Sequence, residues 1–352
     1  MIKLMTKEAA PFRLIDVATR AGVSLATASR ALSGSDGVSK ERAEYVRGIA
    51  LQMGYVANAH ARSLAGGAAS TVGLIVHEIA DPYFTEIASG VLRIATRQSR
   101  TVQISQSQRT AEGELLQIRA LRAQRVGAII LAGSGYTDAQ LEKQLEVELA
   151  AFQESGGRVA VIGRHQLTAD AVLPDNRAGG LTIASHLIEL GHRRIVVLAG
   201  PAGLNTVADR LAGITDAFVA AGAAPDNVTV IHTPFTREGG LIGTDQALQD
   251  CPDATAIIAL NDVMAIGSLS ALRRRGIRVP EDISVSGFDD ITVAADVGPS
   301  LTTIRIPMTR MGEQAMEMVL AAKVGRPRRK KTGHELVIRD STGPAKPVHP
   351  QS

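Results

Sequence analysis

Residues 13–33 read RLIDVATRAGVSLATASRALS, the pattern of two short helices joined by a tight turn. Gly22 can adopt the left-handed backbone conformation that ends a helix. Ser24 is a good N-cap for the helix that follows. The spacing predicts a helix-turn-helix in which Ile15 and Ala18, with Val17 as a further candidate, lie on the buried face of the first helix. The outward face of the second helix would then carry Leu25, Ala26, Ser29 and Arg30.

That outward face has the chemistry needed to read a DNA major groove. An arginine can bond O6 and N7 of guanine together, and small apolar side chains can contact the methyl group of thymine. Hydroxyl side chains can hold phosphates. The same pattern also fits a helical hairpin in any small α-domain, so the residues alone leave both interpretations open. A third helix is expected from Ser39 to Met53, with Val46 turned inward.

Length and composition predict more than one core. The chain has 352 residues, of which 45% are hydrophobic, enough for a small module and a large two-lobed domain. The single cysteine, Cys251, excludes an intramolecular disulfide. Met1 to Phe12 contain no apolar stretch typical of a secretory signal, and no later run approaches the roughly 18 apolar residues of a membrane span. We therefore expect a cytoplasmic protein.

Positive charge is concentrated at the start of the chain. Residues 1–64 contain nine Lys and Arg against five Asp and Glu, although the whole chain has a net charge of only +3. A basic head on a nearly neutral body favours a polyanionic partner for the head alone.

From Thr71 onward the pattern changes to apolar, β-branched runs that alternate with amphipathic helical stretches. The runs are TVGLIV at 71, TVQIS at 101, GAIIL at 127, RVAVI at 158, RIVVLAG at 194, VTVIH at 228, TAIIAL at 255 and DISVSGF at 282. Continuous apolar strands separated by helices predict parallel sheets buried on both faces, hence a doubly wound α/β fold. The Gly-rich stretch LAGGAAS at 64–70 has the composition of a linker between the two regions.

Polar residues follow several of these strands, where open parallel sheets bind ligands. They are Asp81, Arg164, Asn261, Asp262, Asp289 and Asp290. Asp262 is more typical of a helix cap than of a ligand contact. Carboxylate, amide and guanidinium groups that converge in a cleft suit a polyhydroxy compound, because each can form paired hydrogen bonds to neighbouring hydroxyls.

Longer stretches at the start of the chain resemble the LacI/GalR family of bacterial regulators in residue identity, order and spacing. They are IDVATRAGVSLATASRALSG, VSKERAEYV, GYVANAHARSLAGG and TVGLIV. The resemblance implies that Leu25, Ala26 and Arg30 read bases, while Ser24, Thr27 and Ser29 contact the backbone. It makes Asn58 to Leu64 a hinge helix, with Asn58 on the DNA and Leu64 wedged into the minor groove. Three residues depart from the family pattern: Ala57 replaces a proline, Ala28 a valine, and His60 a small apolar residue.

The resemblance continues to about Ser341 through DPYFTEI at 81, VLPDNRAGG at 172, RLAG at 210, ALNDVMAIG at 259 and ISVSGFDD at 283. It implies a small all-α helix-turn-helix domain followed by two Rossmann-like α/β lobes with parallel sheets, similar to periplasmic binding proteins. The implied domains are 11–57 for DNA binding, 58–70 for hinge and linker, 71–342 for effector binding and dimerisation, and 343–352 for a disordered tail. The implied lobes are about 71–164 with 297–324, and about 165–296 with 325–342.

The effector site is expected in the cleft between those lobes. By resemblance, Arg210, Asn261 and Asp289 fall on effector-binding positions and Tyr83 and Phe84 on the wall that stacks against the ligand. Asp81 and Arg164 join them from the strand ends. A sugar or sugar derivative is the expected effector, and Arg164 with Arg210 leaves an acidic or phosphorylated sugar open.

Rossmann-like lobes also occur in two other classes of protein. An enzyme would need a nucleotide-binding loop, a nucleophile elbow or a metal-ligand pattern, and none of these motifs occurs in the sequence, so neither a cofactor nor a metal is expected. An exported binding protein would share the lobes but would need a signal segment. The sequence is thus interpreted as a homodimeric transcriptional regulator, by default a repressor, that binds a pseudo-palindromic double-stranded operator under the control of a small molecule. Whether that molecule induces or acts as a corepressor stays open.

Overall fold

The computed structural model describes residues 12–33, 36–55, 71–222, 227–322 and 325–346. Contacts divide the chain into two units, Met1–Ser70 and Thr71–Ser352, here called the head and the body. The hinge residues Ala57, Asn58, His60 and Leu64 lie outside the described residues.

The described part of the head consists of three helices, as expected. They are α1 (Leu14–Ala21), α2 (Leu25–Ser33) and α3 (Lys40–Gln52). Gly22 ends α1 at a φ of 64°, and the Ser39 side chain caps α3 by accepting a bond from the Arg42 N–H. The shared core consists of Val17, Ala18, Ala21, Ala28, Ala31, Ala43, Val46 and Ala50. Ala18 and Val17 are buried, which confirms the expectation for Ala18, whereas Ile15, also expected inside, is 47% exposed.

The body alternates strands and helices, which confirms the α/β prediction. Its strands are β1 (Thr71–Val76), β2 (Thr101–Gln106), β3 (Ala128–Ala132), β4 (Arg158–Ile162), β5 (Asp170–Leu173), β6 (Ile195–Ala199), β7 (Val228–His232), β8 (Ala256–Ala259), β9 (Ser284–Ser286), β10 (Thr303–Arg305), β11 (Arg329–Lys331) and β12 (Glu335–Val337). Its helices are α4 (Pro82–Arg97), α5 (Ala111–Ala123), α6 (Ala139–Glu154), α7 (Asn176–Glu189), α8 (Asn205–Ala220), α9 (Arg237–Asp250), α10 (Asp262–Arg274) and α11 (Met308–Leu320).

These strands form two parallel sheets, one in each lobe. The first lobe contains a six-stranded sheet in the order β11-β5-β4-β3-β1-β2, and the second a four-stranded sheet in the order β7-β6-β8-β9. A short antiparallel ribbon, β10 with β12, extends the second lobe. Because all strands of a parallel sheet end at the same edge, the carboxyl ends of both sheets supply the loops of the cleft.

The chain crosses between lobes later than the sequence predicts. β5 pairs with β4, so the first crossing follows Leu173 rather than residue 164. Thr302 and Arg305 form bridges to the second lobe, so the next crossing follows residue 305 rather than residue 296. β11 pairs with β5, so the last follows Lys331 rather than residue 325. Each shift involves a strand of three or four residues, too short to produce an apolar pattern of its own.

The sequence also predicts a disordered tail from Gly343, but residues 343–346 have defined contacts in the structure. The Gly343 carbonyl accepts a hydrogen bond from His192 Nε2, and the Gly343 N–H donates to Ser284 Oγ. The Ala345 N–H donates to the Leu190 carbonyl at 2.9 Å. Lys346 pairs with Asp282. Residues 343–346 therefore pack on the second lobe, because its side chains and the Leu190 carbonyl offer them polar partners. Residues 347–352 lie outside the described part.

Helix α11 returns to the first lobe and packs against α4 through glycines. A Cβ added at Gly90 would lie 2.0 Å from the Thr309 carbonyl oxygen, and one added at Gly312 would lie 2.0 Å from that of Ile87. Only glycine permits backbones to approach this closely. The close contact holds α11 tightly against the first lobe, which contains β1.

Candidate functional site

The outward face of α2 carries the side chains that the sequence assigned to DNA. Leu25 is 48% exposed, Ala26 and Arg30 are also exposed, and Ser29 is half-buried. Ser24 caps the helix, since its Oγ accepts a bond from the Thr27 N–H at 3.1 Å and lies 2.8 Å from the Thr27 hydroxyl. The face therefore presents one guanidinium, two small apolar groups and hydroxyls, while Asn58 and Leu64 lie outside the described residues.

A cavity lies between the carboxyl ends of the two sheets in the body. Its lining includes Asp81, Tyr83, Phe84, Arg210, Asn261 and Asp289, six of the seven residues predicted for the effector. His77, Arg109, Ser134, Asn176, Thr206 and Phe235 also line it. The cavity encloses about 40 Å³, against ~150 Å³ for a protein cavity that accepts benzene. A sugar could enter only after side chains or lobes move apart.

The first lobe contributes an acid, an arginine and two aromatic rings to this cavity. Asp81 caps α4 by accepting from the Tyr83 N–H at 3.0 Å, and its other oxygen accepts from Arg109 at 2.8 Å. The Arg109 guanidinium lies 5.4 Å from the Phe84 ring centre and 5.3 Å from that of Phe235, which belongs to the second lobe. Arg109 therefore joins the two walls of the cleft by cation–π contacts.

Sequence reasoning missed Arg109, although a signal for it existed. It follows β2 as closely as Asp81 follows β1, and its left-handed backbone, with a φ of 61°, turns it into the cleft. A left-handed conformation is unfavourable for an arginine and is typical of functional loops. Phe235 occupies the corresponding place after β7, and the same rule of strand ends predicts both.

The second lobe contributes a buried ion pair. Arg210 donates to Asp289 at 2.9 Å, to Asn176 at 2.9 Å and to the Leu260 carbonyl, and its guanidinium stacks on the Phe288 ring at 3.6 Å. With four partners the guanidinium is held in one orientation. Asn261 caps α10, since its Oδ1 accepts from the Met264 N–H at 2.9 Å.

Burial changes the acidity of these groups. Burial is the main cause that raises the pKa of the Asp289 carboxyl to about 7; the charge of Arg210 opposes the rise, and that of Asp81 adds to it. Burial, followed by the charge of Asp289, also raises the pKa of the Tyr83 hydroxyl. Asp289 therefore titrates in the neutral range, and a ligand that binds its ionised form will compete with protons.

Two expectations about strand ends are wrong. Arg164 does not line the cavity, because its guanidinium is held by Asp209 of α8 through bonds of 2.8 to 3.1 Å. Asp262 does not cap α10. It is buried and accepts bonds from the Ile291 N–H and the Thr303 hydroxyl, and burial raises its pKa well above the usual range.

The charges of the cavity wall are balanced. Each of its two arginines, Arg109 and Arg210, has a carboxylate partner within 2.9 Å, and His77 is paired with the buried Glu114 at 2.9 Å. An anionic ligand would have to displace one of these carboxylates. A neutral ligand rich in hydroxyls can instead donate to the acids and accept from the arginines without separating the pairs.

A layer of buried polar groups supports the loops beneath the cavity. Glu142 of α6 accepts from the backbone N–H groups of Tyr136 and Gln166, and His165 bonds the Gly133 carbonyl. Burial alone would lower the pKa of His165, but the neighbouring Glu142 carboxylate raises it overall. These bonds hold residues 133–136 and 163–166 in place below the ligand site.

Within the described ranges, no group of three or more His, Cys, Asp or Glu side chains is placed to hold a metal ion. In the same part of the chain, no helix is long and apolar enough to cross a membrane.

Known families match both units. A family described as "Bacterial regulatory proteins, lacI family" matches residues 13–58, and one described as "Periplasmic binding protein-like domain" matches residues 184–342. The HTH-type transcriptional regulator CelR of Thermobifida fusca is 33% identical over 309 residues, 86% of this chain and 89% of its own length. GalR of Escherichia coli is 32% identical over 314 residues, 89% of each chain.

Solved structures agree with these sequence matches. The Lac repressor dimer bound to operator and the anti-inducer ONPF has a TM-score of 0.81 and 26% identity, covering 95% of this chain and 100% of that chain. The complex of the regulator CelR with cellobiose has a TM-score of 0.69 and 30% identity, covering 94% and 99%.

Proposed function

The chain belongs to the LacI family of bacterial regulatory proteins, and from that premise we propose how it acts on DNA and what controls it. It is a transcriptional regulator that holds its operator through α2, and a neutral sugar bound in the cleft of the body changes its affinity for that operator. Repression is the proposed outcome of binding. The relatives are transcriptional regulators rather than enzymes, and a protein that acts on the chromosome works in the cytoplasm.

The observation that carries the effector class is the balanced set of charges in the cavity. Asp289 and Asp81 can accept from ligand hydroxyls, Arg210 can donate, and Tyr83 and Phe84 provide an apolar face for a sugar ring. Because each guanidinium already has a carboxylate, we favour a neutral sugar over the sugar acids and sugar phosphates left open by the sequence. Cellobiose occupies the related regulator CelR.

Control of DNA binding requires two states of the body with different affinities for the effector. Contacts across the cleft define the closed state: Arg164 with Asp209, and Arg109 with Phe235. A sugar that enters must separate the lobes and then replace some of these contacts with its own. We propose that this change is transmitted to the head through residues 56–70.

We propose that the protein acts as a homodimer with two copies of α2 in successive major grooves of a pseudo-palindrome. Leu25, Ala26 and Arg30 would contact bases, and Ser24, Thr27 and Ser29 the phosphates, with Asn58 and Leu64 acting in the hinge. A single head makes too few contacts for tight binding, so two linked heads gain affinity from each other.

The test has two parts on the full-length protein. Selection of bound fragments from genomic DNA at moderate salt should recover one preferred sequence with two-fold symmetry, and no preferred sequence would refute the DNA proposal. A thermal-shift screen should show stabilisation by a neutral sugar such as cellobiose or ribose. Since a ligand at 100 times its dissociation constant adds about 2.7 kcal/mol, binding is readily seen.

The site assignment needs its own control. Asp289→Asn should abolish the shift, and Asp245→Asn, on the exposed side of the same lobe, should leave it unchanged. Stabilisation by sugar phosphates alone would refute the neutral-sugar assignment.

A further inference from the structure

The sheet of the first lobe has a basic edge at the start of its strands, opposite the cleft. Exposed arginines lie just before three of the strands: Arg97 before β2, Arg125 before β3 and Arg326 before β11. None of the three forms an ion pair with a described residue, whereas nearby arginines on α5, β4 and the segment before β11 are bound to Glu148 and Asp170. Glu154, at the end of α6, is an exposed acid on the same edge.

This edge is also where the chain arrives from the head. Thr71, the first residue of β1, is paired with Thr101 of β2, and its carbonyl accepts from the Gly127 N–H at 2.9 Å. β1 lies between β2 and β3 in the sheet, so Arg97 and Arg125 flank the point at which residues 56–70 join the body. Neighbouring strands are about 4.8 Å apart, so the edge from β2 to β11 spans roughly 24 Å.

We propose that this edge is a second DNA-contacting surface, on which Arg97 and Arg125 bind backbone phosphates of the duplex held by the head. The proposal rests on the proposed function and adds a contact made by the body. Two guanidiniums without carboxylate partners suit phosphates, which accept paired hydrogen bonds from arginine. Contacts of this kind are independent of sequence and raise the affinity for every duplex.

Arg97 also lies in the last turn of α4, where a positive charge offsets the helix dipole. That role does not apply to Arg125, which follows the end of α5 in a left-handed conformation with a φ of 56°. Arg273 and Arg274 provide a matched pair for comparison, since they are exposed arginines in the last turn of α10, in the other lobe.

The test measures how binding of a random-sequence 40-base-pair duplex depends on salt. Each phosphate contact contributes about 0.9 to the slope of log affinity against log salt concentration. R97Q/R125Q removes four guanidiniums from the proposed homodimer and should therefore lower the slope by about 3.6, so that a fourfold rise in salt weakens its binding about 150-fold less than it weakens wild type. R97K/R125K, which keeps the charges, should retain the wild-type slope.

R273Q/R274Q removes the same charge from the other lobe and should also retain the wild-type slope. An unchanged slope in R97Q/R125Q would overturn the proposal. The slope would also stay unchanged if the edge binds an acidic protein instead of DNA. An equal fall of the slope in R273Q/R274Q would also overturn the proposal, because the fall would then reflect net charge and not a contact at this edge. Equal thermal midpoints would show that all variants are folded. If wild type itself selects no sequence, the proposed function fails, whereas normal selection with an unchanged slope removes only the body contact.

Discussion

Lowering the pH from 8 to 6 should weaken effector binding about tenfold, because the carboxyl of Asp289 titrates in that interval. Its pKa is raised to about 7 by burial and by Asp81, against the opposing charge of Arg210. In the proposed site the ionised form would accept hydrogen bonds from sugar hydroxyls, and the protonated form would lose these charge-assisted bonds. The ionised fraction falls from about nine-tenths to about one-tenth, which corresponds to ~1.4 kcal/mol of binding free energy.

Titration calorimetry at several pH values, with the sugar identified by thermal shift, measures this effect directly. Asp289→Asn should bind weakly at every pH and lose the dependence, while Asp245→Asn should retain it. Affinity that stays constant or rises on acidification would show that the ionised carboxylate is not the form that binds. Proton release on binding, seen by repeating the titration in two buffers, should be largest below pH 7.

The stability of the effector-free protein should respond to pH in the opposite sense. Because folding raises the pKa of Asp289 from 3.8 to about 7, the folded state binds this proton more tightly than the unfolded state. The contribution to stability is full below about pH 4 and is lost as pH rises toward 7. The difference in unfolding free energy between wild type and Asp289→Asn should therefore shrink or reverse over that interval.

Four substitutions test other parts of the structure. Arg30→Ala should reduce the preference for one operator base pair by about 1–3 kcal/mol, measured by titrating operator variants. Gly90→Ala should destabilise the body by roughly 1–3 kcal/mol in denaturant unfolding, because the new methyl group meets a carbonyl oxygen of α11. Gly48→Ala should stabilise the head by up to about 1 kcal/mol, since it lies within α3 and faces open space. Arg164→Ala should change effector affinity by less than about 1 kcal/mol, because its partner is Asp209 rather than the ligand.

Each of these expectations has a contradicting outcome. An equal loss on all duplexes would make Arg30 a phosphate contact rather than a base reader. Gly333→Ala, which meets nothing within 4 Å, is the control for Gly90→Ala, and equal stability of the two would mean that α4 and α11 can move apart freely. A lower melting temperature for Gly48→Ala would show an unrecognised contact, and loss of the isotherm in Arg164→Ala would place that guanidinium on the ligand.

The rule that polar residues after parallel strands form the site held for some residues and failed for others, for a physical reason. Asp81 and Asp289 do line the cavity, because the end of each strand directs the residue into the cleft. Arg164 follows β4 in the same way, but Asp209, 45 positions later, holds its side chain. The rule also covers Arg109, which follows β2, but the left-handed backbone that turns this residue into the cleft is not revealed by any apolar pattern.

Local chemistry, which depends on neighbours along the chain, could be determined from the sequence by itself. The end of α1 at Gly22, the cap at Ser24, the strands of the body and the change of architecture near residue 70 all follow from residues within a few positions of one another. Spacing and side-chain type decide such features, because helix ends and buried strands depend on backbone conformation and apolar periodicity.

Tertiary structure alone decided which distant groups meet. The late crossings at β5, β10 and β11 depend on hydrogen bonds between segments up to 158 residues apart, as between Arg328 and Asp170. The neutrality of the cavity likewise depends on the Arg109–Asp81 and Arg210–Asp289 pairs. A charge in the sequence has no partner until folding supplies one, and the partner decides whether that charge binds a ligand or holds the protein together.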